Sequence, residues 1–272
     1  MPTVLYVTDL TYQAKGRRYC DEDIALSAAL RGEFETVLCH PLDAAALMGR
    51  FDLTVVRNSG PVLHHREAHE AFRERAAAEG VKVFNPLHGR GDMAGKQYLL
   101  DLTAAGYPVI PTVASRDALD RLPASAEYLS KPLLGADSIG IALHRPEELA
   151  ELELDGTVLL QPRIDFRYEV SFYFVGRAYQ YALYAPDPAA RWRLEPYDPS
   201  PADLVFAHRF VEWNTLDHGI QRVDACRTAE GELLLVELED LNPYLSLDLV
   251  DAGTRDRFAT AMAASMRSLL ES

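Results

Sequence analysis

Acidic residues gather on two predicted strands near the C-terminal end of the sequence. Asp224 lies in the run Arg-Val-Asp-Ala-Cys, Glu237 and Glu239 lie in the next apolar run, and Asn242 follows just beyond. The intervening Thr-Ala-Glu-Gly-Glu is typical of a hairpin turn and places Asp224 opposite Glu237 or its neighbour. Period-two alternation puts Glu237 and Glu239 on one face of their strand.

These carboxylates would repel one another on such a hairpin. Like charges that pair across strands cost up to about 1 kcal/mol when exposed, and they cost more inside an apolar run such as 233–236 because charge burial is unfavourable. A divalent cation would remove the conflict, and oxygen ligands select Mg²⁺ or Mn²⁺ over Zn²⁺. The pattern therefore predicts a metal site, with a solvent-exposed polar strand face as the alternative.

Two of the four lysines in the chain stand next to glycine-containing segments. Lys96 lies near the start of a predicted helix, and Lys131 ends an apolar strand, where lysine is rare. The following loop, Gly135–Gly140, includes Ser138 and can offer backbone N–H groups to an anion. Lysine holds phosphates as a compact point charge, so these residues are candidate phosphate ligands. The alternatives are solvated surface lysines and an ordinary connector.

A further apolar strand ends in Gln161-Pro and is followed by Ile164 and Glu169. Backbone groups at the end of such a strand can hydrogen-bond the edge of adenine, and a carboxylate such as Glu169 could bind a ribose or a lysine. A strand that simply leaves its subdomain explains the same residues. The sequence thus offers a candidate nucleotide site without deciding it.

The first third of the chain must help to position these candidate residues. Its short apolar runs alternate with helical patterns, which predicts a small parallel α/β sheet. We expect strands at Val4–Val7, Thr36–Cys39, Asp52–Arg57 and Val81–Phe84, and helices at 21–30 and Glu67–Gly80.

The rest of the chain is predicted to contain a helix and two further structural units. A helix at Met93–Ala105 leads into a smaller unit at 113–160, and long antiparallel strands follow. The expected elements are short helices near Asp117 and at Pro146–Glu151, strands at Tyr128–Lys131, Val158–Gln161, Tyr168–Val175, Ala178–Tyr184, Arg222–Arg227 and Leu233–Leu238, a loop at 186–203, and a closing helix at Gly253–Leu270.

Composition limits the classes of function. The formal net charge of −14 over 272 residues argues against nucleic-acid binding and against an anionic membrane surface. No apolar stretch approaches the roughly 20 residues that a membrane span needs, and the N-terminus lacks the basic flank of a signal peptide. The three cysteines show no metal spacing, so we expect reduced thiols and a cytoplasmic protein.

The order of these motifs resembles the ATP-grasp superfamily, preceded by a preATP-grasp domain. The resemblance implies an α/β domain at 1–88 and a two-part α+β ATP-grasp domain at 89–272, with a lid subdomain at about 113–160 and a mainly antiparallel C-terminal sheet. The motifs that carry it are Gly95-Lys96, Gly-Tyr-Pro-Val-Ile-Pro-Thr, Ser-Lys131-Pro, Gln161-Pro-x-Ile, Tyr-Glu169-Val-Ser-Phe, Arg-Val-Asp224 and Glu237-x-Glu239-x-x-Asn242-Pro.

The resemblance also implies a role for each residue. Lys96 and Lys131 would contact the α- and β-phosphates of ATP, and the Gly135–Gly140 loop would cover the β- and γ-phosphates. The backbone from Gln161 to Ile164 would hold adenine, with Glu169 nearby. The metal ligands would come from Asp224, Glu237, Glu239 and Asn242. The family usually reads Glu-x-Asn, whereas Glu239 stands two positions after Glu237, so the identity of the leading ligand is open.

The implied activity is that of an ATP-dependent carboxylate–amine ligase that forms an acyl phosphate and releases ADP and phosphate. Arg209 and Arg222 are candidates for stabilising the acyl phosphate or gripping a carboxylate, with surface ion pairs as the alternative. We expect two Mg²⁺ ions, with Mn²⁺ as a substitute, and a small amino-acid-like carboxylate and an amine as substrates. A homodimer is compatible with the sequence.

Two other classes of function stay open at this point. One is a non-catalytic ATP-binding sensor or partner subunit, against which the complete set of acids argues. The other is a histidine-metal hydrolase, suggested by His64-His65-x-x-x-His69, in which His65 and His69 could share a helix face. No glutamate follows the first histidine as in HExxH, so a solvated helix start explains this motif better.

Overall fold

The computed structural model describes residues 1–14, 16–57, 64–134 and 140–272. Gly135 and Ser138 of the predicted phosphate loop lie outside the described residues. The N-terminal third forms the predicted parallel sheet, in the order β4-β1-β5-β6. Its elements are β1 (Thr3–Val7), a short hairpin of β2 (Gln13–Ala14) and β3 (Arg17–Arg18), α1 (Cys20–Leu30), β4 (Glu35–Cys39), α2 (Pro41–Leu47), β5 (Leu53–Val56), α3 (Arg66–Glu79) and β6 (Val83–Phe84).

Strand β1 shows why these segments read as continuous apolar runs. Val4 and Tyr6 face one hydrophobic core, whereas Leu5 and Val7 face a second core that α2 and α3 cover. Because both faces of a parallel sheet are covered, alternation of apolar and polar residues is lost.

A small antiparallel sheet occupies the middle of the chain, in the order β7-β10-β8-β9. It is called the small sheet below. Its strands are β7 (Val113–Ser115), β8 (Tyr128–Pro132), β9 (Ala142–His144) and β10 (Asp155–Pro162). The two short helices expected here are 3₁₀ turns, at Arg116–Arg121 and Pro146–Ala150.

The expected helix at Met93–Ala105 is broken into a 3₁₀ turn at Asp92–Ala94 and α4 (Tyr98–Ala104). Gly95 causes the break, because its φ of +81° lies in the left-handed region. A Cβ at this position would lie 2.6 Å from Leu134 Cδ2, so that side chain would have to move if Gly95 were replaced.

The C-terminal part forms a five-stranded antiparallel sheet, in the order β13-β12-β11-β14-β15. Its elements are β11 (Phe166–Val175), β12 (Ala178–Ala185), β13 (Glu195–Tyr197), α5 (Pro201–Asn214), β14 (Ile220–Thr228), β15 (Leu233–Glu239) and α6 (Ala252–Glu271). The small parallel sheet and the antiparallel sheets confirm the predicted fold class.

The prediction of a loop over 186–203 was wrong at its end, because β13 and the first turn of α5 lie there. The side chain of Ser200 accepts a hydrogen bond from the N–H of Asp203, and the Asp203 carboxylate accepts one from the N–H of Ser200. This reciprocal capping fixes the start of α5. Phe206 and Phe210 then pack the helix onto the C-terminal sheet.

Helix α6 joins the N-terminal sheet to the C-terminal sheet. Tyr6 of β1, Tyr173 of β11 and Phe258 of α6 belong to a single buried cluster. The N-terminal sheet, α6 and the C-terminal sheet thus share one hydrophobic core. Over the part of the chain described, none of the helices has the length and apolarity that a membrane span would require.

A polar connection also crosses this boundary. The segment 241–247 after β15, called the strap below, is held by Arg57 and Glu22. Arg57 is fully buried and donates to the carbonyl of Pro243 at 2.9 Å and to Glu22 Oε1 at 3.2 Å. The Glu22 carboxylate accepts from the N–H of Leu245 at 2.9 Å. The end of β5 and the start of α1 therefore position the strap.

Candidate active site

A cavity of about 930 Å³ lies between the small sheet, the C-terminal sheet and the strap. It collects most of the residues that the sequence marked out, although they come from widely separated segments. The predicted site residues that line it are Lys96, Lys131, Gln161, Ile164, Glu169, Arg222, Asp224, Glu237, Glu239 and Asn242.

The acidic residues meet as the hairpin predicts. Asp224 of β14 pairs with Glu237 of β15, and Arg222 pairs with Glu239. Oxygen atoms of Asp224, Glu237 and Glu239 all lie within 4.8 Å of one another, and the three residues are half-buried. Three carboxylates converging on one point form the oxygen-only ligand set that suits Mg²⁺, so the residues present fit the predicted ion.

Arg222 relieves part of the repulsion that the sequence assigned to a metal alone. Its guanidinium donates to Asp224 Oδ1 at 2.9 Å and to Asp224 Oδ2 at 2.8 Å, and it also bonds Glu239. A further bond to the carbonyl of Tyr244, at 2.9 Å, fixes the guanidinium against the strap. Because Arg222 lies two residues before Asp224, strand alternation places both on one face.

The two predicted lysines approach the same carboxylates. Lys96 and Lys131 are 8% and 6% exposed, and Lys96 Nζ forms an ion pair with Glu237. Burial lowers the pKa of Lys131 to about 8, with the charge of Lys96 acting in the same direction. Burial opposes ionisation of Glu237, but Lys96 and Lys131 bring its pKa down to about 2. Glu237 therefore stays charged.

Glu239 differs from Glu237 in its electrostatics. Burial raises its pKa to about 7, and the charges of Asp224 and Glu237 add to this rise, whereas Arg222 opposes it. Lys96, which bonds Glu237, also opposes the rise at Glu239 but is the smallest of these influences. The two glutamates of the hairpin thus differ in how readily they ionise.

The predicted adenine end of the cavity is built by β10 and β11. The amide of Gln161 donates to Thr112 Oγ1 at 2.8 Å, so this side chain fastens β10 to the segment before β7. Ile164 contributes to the cavity wall. Glu169 accepts two hydrogen bonds from Arg191, at 2.5 and 2.6 Å, rather than pairing with a lysine.

Gly140 and Arg209 lie outside the residues that line the cavity. Gly140 has a φ of +77°, which favours glycine, and a Cβ at this position would lie 2.8 Å from Pro132 Cγ. Backbone conformation and close packing therefore explain the glycine. Arg209 is exposed on α5, with its guanidinium 5.2 Å from the centre of the Tyr107 ring. The placement of Arg209 was wrong, because α5 packs inward through Phe206 and Phe210 and turns Arg209 outward.

Several cavity-lining residues were missed. The rings of Tyr19 and Tyr244 lie 4.7 Å apart, and Tyr12 meets Tyr19 edge-on at 5.3 Å. Arg191 and Trp192 line the cavity from the segment between β12 and β13. No sequence signal brings Tyr19 next to Tyr244, whereas the prolines of the 186–203 segment are a sequence signal for a loop that could cover a site.

The chain is similar in sequence and in fold to several known proteins. No protein-family model matches the sequence. The chain is 27% identical over 267 residues to the cycloserine biosynthesis protein DcsG of Streptomyces lavendulae, and the alignment covers 85% of this chain and 88% of that protein. The crystal structure of D-cycloserine synthetase DcsG aligns with a TM-score of 0.75 at 24% identity, over 96% of this chain and 99% of that chain.

Two further structures extend the comparison. The D-alanine–D-alanine ligase of Bacillus anthracis, complexed with ATP, aligns with a TM-score of 0.67 at 12% identity, over 100% of this chain and 98% of that chain. The ATP-grasp ligase PsnB, complexed with a variant of its minimal precursor, Mg and ADP, aligns with a TM-score of 0.65 at 16% identity, over 98% and 99%. The chain has the ATP-grasp fold. The predicted ATP-grasp fold is thereby confirmed.

Proposed function

We propose that this ATP-grasp chain is an ATP-dependent ligase that joins a small, amino-acid-like carboxylate to an amine through an acyl phosphate. A carboxylate oxygen would attack the γ-phosphorus of ATP, giving the acyl phosphate and ADP. The amine nitrogen would then attack the acyl carbon, lose a proton and release phosphate. One observation carries the proposal: two buried lysines and Arg222 face three convergent carboxylates in a single cavity.

The protein's own residues would act mainly by holding charge in place. Lys96 and Lys131 would bind the phosphates, and the Gly135–Gly140 loop would cover them. Arg222, already oriented by Asp224 and the strap, would stabilise negative charge on the acyl phosphate. Positioning and charge neutralisation account for most of the catalysis in phosphoryl transfer.

Asp224, Glu237 and Glu239 would hold Mg²⁺, with Asn242 completing the oxygen ligands. Bound Mg²⁺ supplies neutralisation of the phosphate charge. Glu237 would be the leading ligand, because it pairs with Asp224 across the hairpin and stays ionised. Glu239 would stand where the family has Asn. We propose two ions, replaceable by Mn²⁺.

The substrate class rests on the cavity and on the relatives. The names of DcsG and of the D-alanine ligase indicate small amino-acid-derived substrates, whereas PsnB was solved with a peptide precursor. The sequence identity to DcsG favours the small substrate here. We further propose the boundaries 1–88 and 89–272, with a lid at about 113–160, because the three sheets fall within those ranges.

Location and assembly are part of the same proposal. Cys20, Cys39 and Cys226 are free and buried, which suits a reducing cytoplasm, where ATP is also available. A homodimer stays a prediction, and sedimentation of the purified chain would measure it.

The test is a panel of amino-acid and amine pairs, D-enantiomers included, scored for ADP release in the presence of Mg²⁺ and for product by mass spectrometry. We expect at least one pair to release ADP and phosphate together with a condensed product. Glu237→Gln should abolish the release, whereas Lys82→Met, whose lysine bonds the carbonyl of Leu270 in the last helix, should retain it. Tight ATP binding without turnover for any pair would favour the sensor instead.

A further inference from the structure

Three residues with metal-binding side chains converge at the edge of the N-terminal sheet, and none of the three lines the cavity of the carboxylate site. Asp9 follows β1, His40 follows β4, and His65 lies between β5 and α3. These strands are parallel neighbours, so their carboxyl ends meet at one edge, where open α/β sheets bind ligands. One donor atom from each residue lies within 4.8 Å of the others.

The geometry of this cluster is already close to that of a coordination site. His65 Nε2 lies 2.9 Å from Asp9 Oδ2, and His40 Nε2 lies 3.3 Å from Asp9 Oδ1. Ligand atoms around tetrahedral zinc are about 3.3 Å apart, given zinc–nitrogen bonds of about 2.0 Å. The side chains of Asp9, His40 and His65 are 5%, 20% and 18% exposed, so the cluster is open enough for an ion to enter.

The arrangement differs from the one that the sequence suggested. His69 lines a small apolar recess with Val7 and Phe72, where burial lowers its pKa to about 4. It does not join His65 in a donor group among the described residues. The alternative in which His65 and His69 share a site is therefore not what the structure shows, and His65 instead approaches Asp9 and His40.

Asp9 is held ready for a ligand role by its own turn. Its Oδ1 accepts hydrogen bonds from the N–H groups of Thr11 at 2.9 Å and Tyr12 at 3.0 Å. Such outer contacts orient a coordinating carboxylate. The His40 Nδ1 accepts from the N–H of Leu42 at 3.3 Å, at the start of α2. Coordination through Nε2 would move the ring hydrogen to Nδ1, so this long contact would have to open.

We propose that Asp9, His40 and His65 form a second metal site, for Zn²⁺ or a similar divalent cation that prefers nitrogen ligands. Two imidazoles and one carboxylate suit zinc and its neighbours rather than Mg²⁺. Three protein ligands leave a fourth position open to water or another ligand. A bound ion would tie the ends of β1 and β4 to the start of α3.

The test uses the full chain after chelator treatment. Zn²⁺ is titrated by calorimetry with Mg²⁺ in excess, so that the carboxylate site is occupied. We expect about one equivalent of Zn²⁺ to bind and to raise the melting temperature, because the ion binds the folded chain. Co²⁺ should give visible absorption from histidine coordination. Asp9→Asn, His40→Ala and His65→Ala should each weaken Zn²⁺ binding at least tenfold.

Two controls define the site. His64→Ala removes a neighbouring imidazole, whose ring lies 6.5 Å from that of His65, and should leave Zn²⁺ binding unchanged. Glu237→Gln should also leave it unchanged, which separates the two metal sites and makes this test independent of ligase activity. The proposal is overturned by Zn²⁺ affinity that His40→Ala and His65→Ala leave intact, or by the absence of binding. Should one variant fail to fold, the other still decides.

Discussion

Lys131 is an ammonium group inside the wall of the cavity, and its burial has consequences for both stability and activity. The pKa falls from 10.5 to about 8, which corresponds to a penalty on the order of 3 kcal/mol for keeping the charge in the folded chain. A buried charge with such a penalty is expected where a ligand will neutralise it.

Lys131→Met should therefore separate the two effects. We expect kcat/KM for ATP to fall at least 100-fold, because a phosphate loses its cation, while the free energy of unfolding stays the same or rises. ADP release and urea unfolding measure the two quantities, with Lys82→Met as the matched control. An active Lys131→Met variant would remove Lys131 from the phosphate site.

The two glutamates of the hairpin give a second comparison. Glu237→Gln leaves Lys96 without its ionic partner, so we expect loss of activity and destabilisation by about 1–3 kcal/mol. Glu239→Gln resembles the protonated form that burial favours, so the fold should tolerate it. The Mg²⁺ concentration that gives half-maximal ADP release should rise severalfold. Titrating Mg²⁺ against ADP release ranks the variants. The reverse ranking would make Glu239 the leading ligand.

At the scale of elements, the carboxyl group of Glu22, which holds the strap, has a shifted pKa. Burial raises its pKa to about 7, Asp23 adds to the rise, and Arg57 opposes it. The folded chain then binds more protons than the unfolded chain between about pH 4.5 and pH 7, so this group's contribution to stability falls as pH rises through that window.

The expected effect is on the order of 3 kcal/mol between these limits, and Glu22→Gln should remove it. His69 acts in the opposite direction, because its lowered pKa of about 4 makes stability rise with pH over a similar range. Urea unfolding of the wild type and Glu22→Gln at pH 5 and pH 7.5 isolates the difference. A pH-independent difference would contradict the role of Glu22.

The Gly-rich break before Lys96 has a packing role that can be tested. The N–H of Gly91 donates to buried Asp240 at 2.8 Å, and a Cβ on Gly91 would lie 2.7 Å from the carbonyl of Leu238. Gly91→Ala should destabilise the chain by about 1–3 kcal/mol. Gly32→Ala, where a Cβ meets nothing within 4 Å, is the control. Equal melting temperatures for both variants would show that the contact relaxes freely.

Elements that follow from local rules were predictable, and contacts that depend on the whole fold were not. The turn between β14 and β15 predicted Asp224 opposite Glu237 or its neighbour, and the structure has Glu237 there. A register shift between Asp224 and Ala225 makes that choice, and the turn alone does not specify it. Helix α5 was missed although Ser200 and Asp203 form a capping signal that can be read from the sequence. The pairing of Lys96 with Glu237 spans 141 residues, and no local pattern encodes it.

At the scale of the whole molecule, the cavity lies between two sheets that a nucleotide would bridge. Mg²⁺ and ATP at about 100 times the dissociation constant should add about 2.7 kcal/mol of stability. Thermal melting with ATP, with and without Mg²⁺, measures this gain. The Glu237→Gln variant should lose the part that depends on Mg²⁺. Equal shifts with and without Mg²⁺ would argue against metal-assisted binding.

One backbone hydrogen bond links Lys96 to the small sheet and bears on the order of events at the site. The N–H of Lys96 donates to the carbonyl of Leu133 at 2.9 Å, two residues after Lys131 at the end of β8. If the small sheet swings as a lid, opening would break this bond and draw the two ammonium groups apart. Closing the lid would then exclude water from the cavity and bring the ammonium groups of Lys96 and Lys131 together in the same motion. A substrate that held the lid open would then leave the phosphates without one of their two cations, and its activation by ATP would slow.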